Sequence, residues 1–385
     1  MMRRWVSSLL GAALVLASSV AFAQQEPVKG WEPDETGSPT ARDLRPTVND
    51  QTSFESYDFW FWLDDGRFVM MEYVITTLKA GFVNIEQQGS LKATVVPIGA
   101  TSDDDTQEGI FRARRGFSGP DGEWRTSDNG FDVAFDDCVM RGDGQTFEVS
   151  LMDDRLKVRA TLEMEIPIWQ AGDGVTQFGY DRSKLIREQS LPRFRVTGQM
   201  VAKASKADND VWQPISGVGY AEHRRTTALP SSVGKRWSGF RAMRSDGLTI
   251  LFNRLDTAEE YGGVNPGWML VALDGRPVFA SSEVVFQATD VRTDEVAPSR
   301  YDVPYGYRVQ ARSGADVVDL TVSGSRLVLR ENPIANAGAL IRAVLARAMA
   351  PMAYDLHNRY DATVQIGGST VQVSGTGWST FNFPK

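Results

Sequence analysis

Two stretches of this chain, one central and one at its end, repeat the same order of small and aromatic residues. The first runs from Gly217 to His223 and the second from Gly375 to Phe381, and each begins Gly-x-Gly-aromatic. Copies this far apart predict the duplication of a whole domain rather than a short-period solenoid. Because Phe381 stands where the first copy has His223, the imidazole is not a requirement of the architecture.

The first copy forms the return strand of a predicted β-hairpin. Leu191–Val201 and Val211–Arg224 are rich in β-forming residues, and a polar turn separates them. Side chains alternate between the two faces of a strand, so Tyr220 and Glu222 share one face while His223 lies on the other. The His223 face also holds three very small residues, which indicate either a cavity wall or a strand bent around its glycines. These are Gly217, Gly219 and Ala221.

Tight-turn signals recur throughout the chain. Asp-Gly occurs six times, and Asn129-Gly130 adds another signal of the same kind. Asp64-Asp65-Gly66 joins the predicted strands Tyr57–Leu63 and Arg67–Thr77 as a hairpin. Frequent tight turns between short apolar runs favour an antiparallel all-β protein.

One segment departs from the strand pattern and predicts a short helix in the second half. Residues 333–350 are rich in Ala and Leu, with Asn332 as a cap, Pro333 at the first helical position and Pro351 beyond the end. An apolar stripe at helical spacing indicates either a helix packed over a barrel opening or side, or a lid or membrane-touching element.

The first residues have the three parts of a secretion signal. Two arginines precede an apolar segment from Trp5 to Val20, and Ala21-Phe22-Ala23 supplies a small-x-small cleavage site. We therefore expect residues 1–23 to be removed and the mature protein to be periplasmic or secreted. No other run is long and apolar enough to predict a transmembrane span.

The remaining chain divides into three parts. Residues 24–50 are rich in Pro, Glu, Asp, Thr and Gly, which predicts a flexible lead-in with little packing. Residues 51–227 and 228–385 are then the predicted first and second domains, each long enough for its own core.

Composition excludes several classes of function. The net charge is −8, and it becomes −10 when the two arginines of the signal are removed. An acidic exported protein is a poor candidate for binding nucleic acid or for a polybasic membrane contact. Cys138 is the only cysteine, so no internal disulfide exists, as fits a bacterial periplasm. Two histidines are too few for most metal sites, and we expect neither a metal nor a cofactor.

The predicted strand from Tyr57 to Leu63 is apolar on both of its faces. Trp60 and Trp62 share one face and are candidate ligand-binding residues, although aromatic strands also serve simply as core. A strand of this kind must be covered twice. We expect one face to line a barrel interior and the other to meet the second domain.

Three motifs occur in order around the central hairpin. They are Pro192-Arg193 with Thr197-Gly198, then Gly-x-Gly-Tyr-x-Glu-His ending at His223, and then Trp237. With them the chain resembles the double-lipocalin superfamily, which includes carotenoid hydratase, AttH-like secreted proteins and fungal survival-factor proteins. The resemblance covers about residues 54–385.

The resemblance implies two tandem lipocalin-like antiparallel β-barrels that hold a hydrophobic ligand. Its hydratase members protonate an isolated double bond and add water, chemistry that needs a positioned acid in a dry cavity. By this resemblance His223 and Glu222 are candidate catalytic residues. Tyr220, Arg225 and Trp237 are candidate ligand contacts.

The chain departs from the hydratase pattern at two places. Arg225 stands where the hydratases have Trp, and Phe252-Asn253-Arg254 lacks the carboxylate of their next hairpin. Glu222 and His223 also point to opposite faces of a regular strand, so they cannot form a simple acid–base pair.

Two hypotheses of function arise, from different classes. The first is an exported carrier that binds a hydrophobic small molecule or lipid. A transient contact of the protein with a membrane is compatible with this function. The second is an enzyme that acts on an isoprenoid or polyene by acid chemistry, as hydration, cyclisation or isomerisation. The secretion signal favours the first, and His223, present in one copy and replaced in the other, favours the second.

We predict cleavage after Ala23, because the small-x-small site comes directly after the apolar segment. N-terminal sequencing of the exported protein is expected to begin at Gln24. A mature product that retains Trp5 to Val20 would contradict export by this signal.

Overall fold

The computed structural model describes most of the two predicted domains. It describes residues 28–30, 39–47, 53–80, 83–97, 110–117, 124–126, 131–295, 300–332 and 351–384. The predicted signal 1–23 and the predicted helix 333–350 lie outside the described residues. Within them, no helix has the length and apolar character needed to cross a membrane.

The described chain is almost entirely β-strand. Its strands are β1 (Val28–Lys29), β2 (Ser53–Leu63), β3 (Arg67–Ala80), β4 (Val83–Pro97), β5 (Phe111–Phe117), β6 (Trp124–Thr126), β7 (Phe131–Phe135), β8 (Cys138–Gly142), β9 (Thr146–Met152), β10 (Leu156–Ile166), β11 (Val175–Phe178), β12 (Lys184–Ala202), β13 (Gln213–Thr226), β14 (Gly234–Met243), β15 (Thr249–Thr257), β16 (Gly267–Leu273), β17 (Arg276–Ser281), β18 (Glu283–Thr293), β19 (Asp302–Ser313), β20 (Asp316–Glu331), β21 (Met352–Ile366) and β22 (Ser369–Phe383). Three short 3₁₀ helices, η1 (Ala41–Leu44), η2 (Pro230–Ser232) and η3 (Glu259–Tyr261), lie between them.

These strands form two antiparallel sheets with the same plan. The first runs β5-β4-β3-β2-β13-β12-β10-β9-β8-β7-β6, and the second runs β17-β16-β15-β14-β22-β21-β20-β19-β18. In each sheet an early strand pairs with the last one, β2 with β13 and β14 with β22. The first sheet nearly closes into a barrel and the second curves into a half-barrel, which confirms the predicted all-β fold of two lipocalin-like barrels.

The predicted central hairpin is present as β12 and β13. Their register shifts between Leu191 and Phe194, where β12 carries an extra residue. The ring of Phe194 then covers Gly219, and a Cβ added there would lie 2.7 Å from Phe194 Cζ. The small residue therefore makes room for a ring, and the cavity-wall interpretation is wrong at this position.

The second copy uses its glycine in the same way with a different partner. A Cβ added at Gly377 would lie 2.5 Å from Cζ of Phe240, which belongs to β14 rather than to the preceding strand. The two copies thus keep a small residue under an aromatic ring, although the ring comes from another neighbouring strand. Packing constraints, rather than a shared ligand, account for this part of the repeat.

Each barrel has its own hydrophobic core, and a third apolar cluster joins them. The joining cluster includes Trp60 of β2, Leu251 of β15 and Trp378 of β22. The opposite face of β2 places Phe59 and Phe61 in the core of the first barrel. The prediction that both faces of this strand are covered is confirmed.

The described part of the predicted lead-in is packed, which the sequence did not predict. Val28 pairs with Phe178 as part of β1 and β11, and it is 1% exposed. Ala41 and Leu44 are buried in the first barrel core, on a 3₁₀ turn that Thr40 caps. We call residues 39–47 the strap, because this segment lies against the end of β2.

Two tight turns divide neighbouring strands of the sheets. Asp136 takes a φ of +55° and turns the chain between β7 and β8. Ser282 separates β17 from β18.

We predict that Gly219→Ala destabilises the protein by about 1–3 kcal/mol, because the new methyl group overlaps the ring of Phe194. Urea unfolding is the measurement. Gly116→Ala is the matched control, since no atom lies within 4 Å of a Cβ at that strand position. Adding Phe194→Leu to Gly219→Ala should restore part of the loss, and a neutral Gly219→Ala would contradict the proposed overlap.

Candidate functional site

A buried imidazole lies at one end of the first barrel core. His223 of β13 is 3% exposed, and its Nε2 atom is 2.6 Å from Oε1 of Glu55 on β2. Its Nδ1 atom is 2.9 Å from Oε1 of Gln189 on β12. The pairing of these three strands brings together residues that are 168 and 34 positions apart in sequence. We call Glu55, His223, Gln189 and the adjacent Tyr57 the imidazole site.

Tyr57 holds the imidazole in a fixed plane. Its ring stacks on that of His223, with centroids 4.4 Å apart and planes 4° from parallel. The Tyr57 hydroxyl donates to the carbonyl oxygen of Leu44 in the strap at 2.7 Å. Burial, together with the charge of Glu55, raises the pKa of Tyr57 well above its ordinary value, so the phenol keeps its proton.

The strap also contacts the carboxylate of the site. The backbone N–H of Thr47 donates to Oε2 of Glu55 at 2.9 Å. The two oxygens of Glu55 are therefore directed to different partners, Oε1 to His223 and Oε2 to the strap. The strap covers the site and orients its carboxylate.

This arrangement can store and transfer one proton. The amide oxygen of Gln189 can only accept, so Nδ1 of His223 carries a hydrogen. Nε2 lies 2.6 Å from Glu55 Oε1, close enough for a proton to pass between the two groups. A carboxylate beside an imidazole in a buried site is a pair of groups that general acid–base catalysis uses.

Arg225 lies beside this site. It is opposite Glu55 in the register of β13 and β2, and its charge favours ionisation of Tyr57. Its Nε atom is buried and has no hydrogen-bond partner in the described part of the chain. Of the predicted ligand contacts, Arg225 is the one placed at the imidazole site.

Glu222 points away from the imidazole site, toward the second sheet. Its Oε2 atom accepts hydrogen bonds from Tyr220 at 2.9 Å and from Arg241 at 3.1 Å. Its Oε1 atom accepts from Arg224 at 2.7 Å. As the alternation of the strand requires, Glu222 and His223 do not form a pair, and the partner of His223 is Glu55 instead.

The carboxylates between the sheets have divergent pKa values. Burial opposes ionisation of Glu222, but Arg224 and Arg241 outweigh it and hold its pKa below the usual value. Burial, together with the charges of Glu72 and Glu222, raises the pKa of Asp58 to about 8. Asp58 is therefore protonated at neutral pH while Glu222 is ionised.

The predicted aromatic contacts lie in this same interface. The guanidinium of Arg241 is 4.4 Å from the ring centroid of Trp60 and 4.6 Å from that of Tyr220. Trp62 meets Trp378 of the second sheet edge-on, with centroids 6.4 Å apart. These three predicted residues are brought together, but on the face of the sheet opposite to His223.

Trp237 lies in a separate apolar cluster. It is 8% exposed and belongs with Val28, Phe178 and Leu255 to a group near the start of β14. Trp237 also lines a small crevice together with Ile186 and Asn253.

The sequence did not predict Glu55, Tyr57 and Gln189 as site residues. One signal was available, because Glu55 and Tyr57 alternate with Phe59 and Phe61 and so lie on the core face of β2. A carboxylate on an apolar face predicts a buried partner. Gln189 had no comparable signal, since its position depends on the register of β12 with β13.

The described residues hold no group of three His, Cys, Asp or Glu side chains suited to a metal ion. An open cleft of about 620 Å³ lies near the turns at the other end of the first barrel. Its lining is mostly charged, with Trp212 and Met152 as its apolar members. Such a lining suits polar molecules better than a hydrophobic ligand.

Comparisons with known proteins agree on the fold. An AttH-like protein from Nitrosomonas europaea superposes with a TM-score of 0.62 and 12% identity, over 93% of this chain and 100% of that one. Kievitone hydratase from Nectria haematococca gives 0.55 and 13%, over 93% and 98%. CghA with Sch210972 gives 0.57 and 10%, over 94% and 99%.

At these identities the likeness is one of fold, and the resemblance to the double-lipocalin superfamily is confirmed at that level. The chain matches no protein-family model. It also matches no curated protein.

We predict that Asp58 makes the protein less stable as the pH rises. Its pKa is raised to about 8 in the folded state and is about 4 when unfolded, so the unfolded state releases the proton first. The free energy of unfolding should therefore fall between about pH 4 and pH 8. In Asp58→Asn this slope should be weaker, as urea unfolding at pH 5 and pH 8 would measure.

Asp361→Asn is the control for this prediction, because Asp361 is an exposed residue of β21. It should leave the slope unchanged. An Asp58→Asn variant with the wild-type slope would show that Asp58 ionises normally in the folded protein.

Proposed function

We propose that this protein is an enzyme that performs acid–base chemistry on an apolar substrate at the imidazole site. The observation that supports this is the 2.6 Å contact between His223 and Glu55, which are both buried beside the apolar core of the first barrel. The second barrel has Phe381 at the equivalent place, paired with Ser238, so the fold does not need the imidazole. A structural requirement therefore does not explain the pair.

Each residue of the site has a role in this proposal. His223 and Glu55 donate a proton to one carbon of a substrate double bond and later recover a proton. Gln189 fixes which ring nitrogen carries the other hydrogen, and the stacked ring of Tyr57 holds the imidazole in place. An apolar, water-poor surrounding strengthens the acid, because little else competes for its proton.

The candidate reactions share the protonation step and differ in the fate of the cation. In hydration, water bonds to the adjacent cationic carbon and its extra proton returns to the His223–Glu55 pair. In isomerisation the neighbouring carbon loses a proton to the pair. In cyclisation a second double bond attacks the cation, and a carbon next to the new cationic centre then loses a proton to the pair. An isoprenoid or polyene is the proposed substrate class, since each step needs an electron-rich double bond.

Access to the site requires movement of the strap in this proposal. His223 and Glu55 are 3% and 2% exposed, so substrate cannot reach them past the covering residues. Ala41 and Leu44 pack into the first barrel core, and two hydrogen bonds also join the strap to β2, Tyr57 to Leu44 and Thr47 to Glu55. Both must break for the site to open, and both involve the residues that the substrate would meet.

A carrier of a hydrophobic small molecule or lipid is the second candidate. It is favoured by the aromatic and aliphatic interiors of both barrels. The predicted secretion signal also favours a carrier and makes export part of the proposal. The two candidate functions differ in whether His223 is needed to convert the bound molecule or only to bind it.

We predict that Glu55→Gln and His223→Phe each lower the turnover of a polyene that the wild type converts. The expected decrease is a factor of about 100 to 10,000, which is the rate enhancement that general acid–base catalysis usually contributes. Screening a panel of isoprenoids and polyenes by mass spectrometry would first identify a converted substrate. Thermal unfolding would establish that each variant is folded. Phe381 shows that a phenyl ring fits the equivalent position of the other barrel.

His357→Phe is the matched control, since it removes the other histidine, which lies on β21 of the second sheet opposite Trp378. It should leave turnover unchanged. Full activity in folded His223→Phe would remove the imidazole from the mechanism. Apolar molecules that co-purify unaltered, with no conversion by the wild type, would support the carrier instead.

A further inference from the structure

The open cleft of the first barrel has room for a small molecule. Its volume of about 620 Å³ is within the range of roughly 300–1,000 Å³ that is usual for small-molecule sites. One of its walls is Trp212, which lies directly before the start of β13, whereas His223 is near the end of that strand. The cleft and the imidazole site are therefore at opposite ends of the barrel. We call it the charged cleft, because most of its lining residues carry a charge.

Most charges at the charged cleft are already compensated by ion pairs. Four cations and four carboxylates in and beside the lining contact one another, so their charges cancel. The pairs are Arg115 with Asp136 and Asp137, Lys206 with Asp154, and Lys157 and Lys203 with Asp210. A ligand gains little from groups whose charge is already matched.

Two lining groups of opposite charge remain. Arg159 is exposed, and its guanidinium makes neither a hydrogen bond nor an ion pair with the described residues. Its contact is with the ring of Trp212, whose centroid is 5.0 Å away, so its N–H groups stay available for a carboxylate. Asp153 accepts one hydrogen bond at Oδ1, from the backbone N–H of Arg155 at 3.0 Å. Its Oδ2 atom has no partner in the described part of the chain.

These two groups are separated along β10. The backbone N–H of Asp153 donates to the carbonyl oxygen of Leu156 at 3.1 Å, so Asp153 is level with the first residue of the strand. Arg159 lies three residues farther on, which at about 3.4 Å per residue is about 10 Å along the backbone. A ligand that contacts both groups therefore needs a cation and an anion several bonds apart.

Each of the two groups has an apolar neighbour in the lining. Met152 directly precedes Asp153, and Trp212 lies against Arg159. Trp212 is half-buried and packs at the margin of the first barrel core. The chain that joins the two charges of a ligand would therefore meet apolar side chains as well as water.

We propose that the charged cleft binds a small zwitterion whose carboxylate pairs with Arg159 and whose ammonium pairs with Asp153. Since the other charges cancel, a ligand without net charge matches the cleft better than an anion or a cation does. The ligand class is an extended zwitterion, such as an ω-amino acid or the two ends of a short peptide. The cleft shares no residue with the imidazole site, so this proposal stands or fails independently of the proposed enzyme.

Isothermal titration of the full chain with 6-aminohexanoate tests this proposal. Hexanoate and hexan-1-amine each carry one of its two charges, and norleucine is an isomer with both charges at one end. We expect 6-aminohexanoate to bind in the millimolar range or tighter, and each other probe at least about tenfold more weakly, the effect of losing one charge-assisted contact. Equal affinity for any of the three, or no binding of 6-aminohexanoate, would overturn the proposal.

Variants assign each charge of the ligand to its partner. Arg159→Gln should weaken 6-aminohexanoate and hexanoate by about tenfold or more and leave hexan-1-amine unchanged. Asp153→Asn should weaken 6-aminohexanoate and hexan-1-amine and leave hexanoate unchanged, and its amide oxygen can still accept from Arg155. Arg141→Gln is the matched control, because this exposed arginine of the same barrel pairs with Glu148 outside the cleft lining. Wild-type affinity for 6-aminohexanoate in folded Arg159→Gln or Asp153→Asn would overturn the proposal.

Reversing one charge separates binding at this site from a structural effect of the substitutions. Arg159→Glu gives the cleft two unpaired carboxylates in place of one carboxylate and one guanidinium. It should therefore bind hexane-1,6-diamine at least about tenfold more tightly than 6-aminohexanoate, the reverse of the wild-type order. A general loss of structure would weaken both probes alike. Retention of the wild-type order in folded Arg159→Glu would contradict the assignment.

Discussion

The antiparallel pairing of β13 with β2 decides where the buried polar groups lie. Side chains alternate along paired strands, so His223 meets Tyr57 and Glu55 inside the first barrel, while Glu222 faces the second sheet. A slip of one residue would exchange the two faces of the whole strand. Glu222 would then enter an apolar interior without Arg241. The strand register is thus as decisive for the chemistry as the identity of the residues.

The contact between the two sheets depends on charge as well as on apolar packing. Arg241 is 4% exposed, lies against the rings of Trp60 and Tyr220, and donates to Glu222. Removing such groups from water costs several kcal/mol for each ion, which attraction and hydrogen bonds must offset. Loss of one partner alone costs about 3–5 kcal/mol, because a charge stays buried without compensation. This pair therefore favours one arrangement of the two sheets over others.

The two barrels share a scaffold and differ in their chemistry. Both barrels keep a glycine under an aromatic ring, Gly219 under Phe194 and Gly377 under Phe240. At the end of each interior, however, the first copy places an imidazole with a carboxylate and the second places Phe381 opposite Ser238. The packing positions tolerate few alternatives, since a Cβ would overlap a ring. The positions at the barrel ends are less constrained and have diverged in charge.

The sequence by itself determined the all-β class, the duplication, the central hairpin and the opposite directions of Glu222 and His223. Each of these depends on local alternation, on turn residues or on similarity within the chain. Only the tertiary structure decided that Glu55 is the partner of His223, that Phe194 fills the space at Gly219, and that the strap is packed. Glu55 and His223 are 168 positions apart, and the bulge in β12 sets the place of Phe194. Contacts of this kind depend on strand register and barrel closure, which no local pattern specifies.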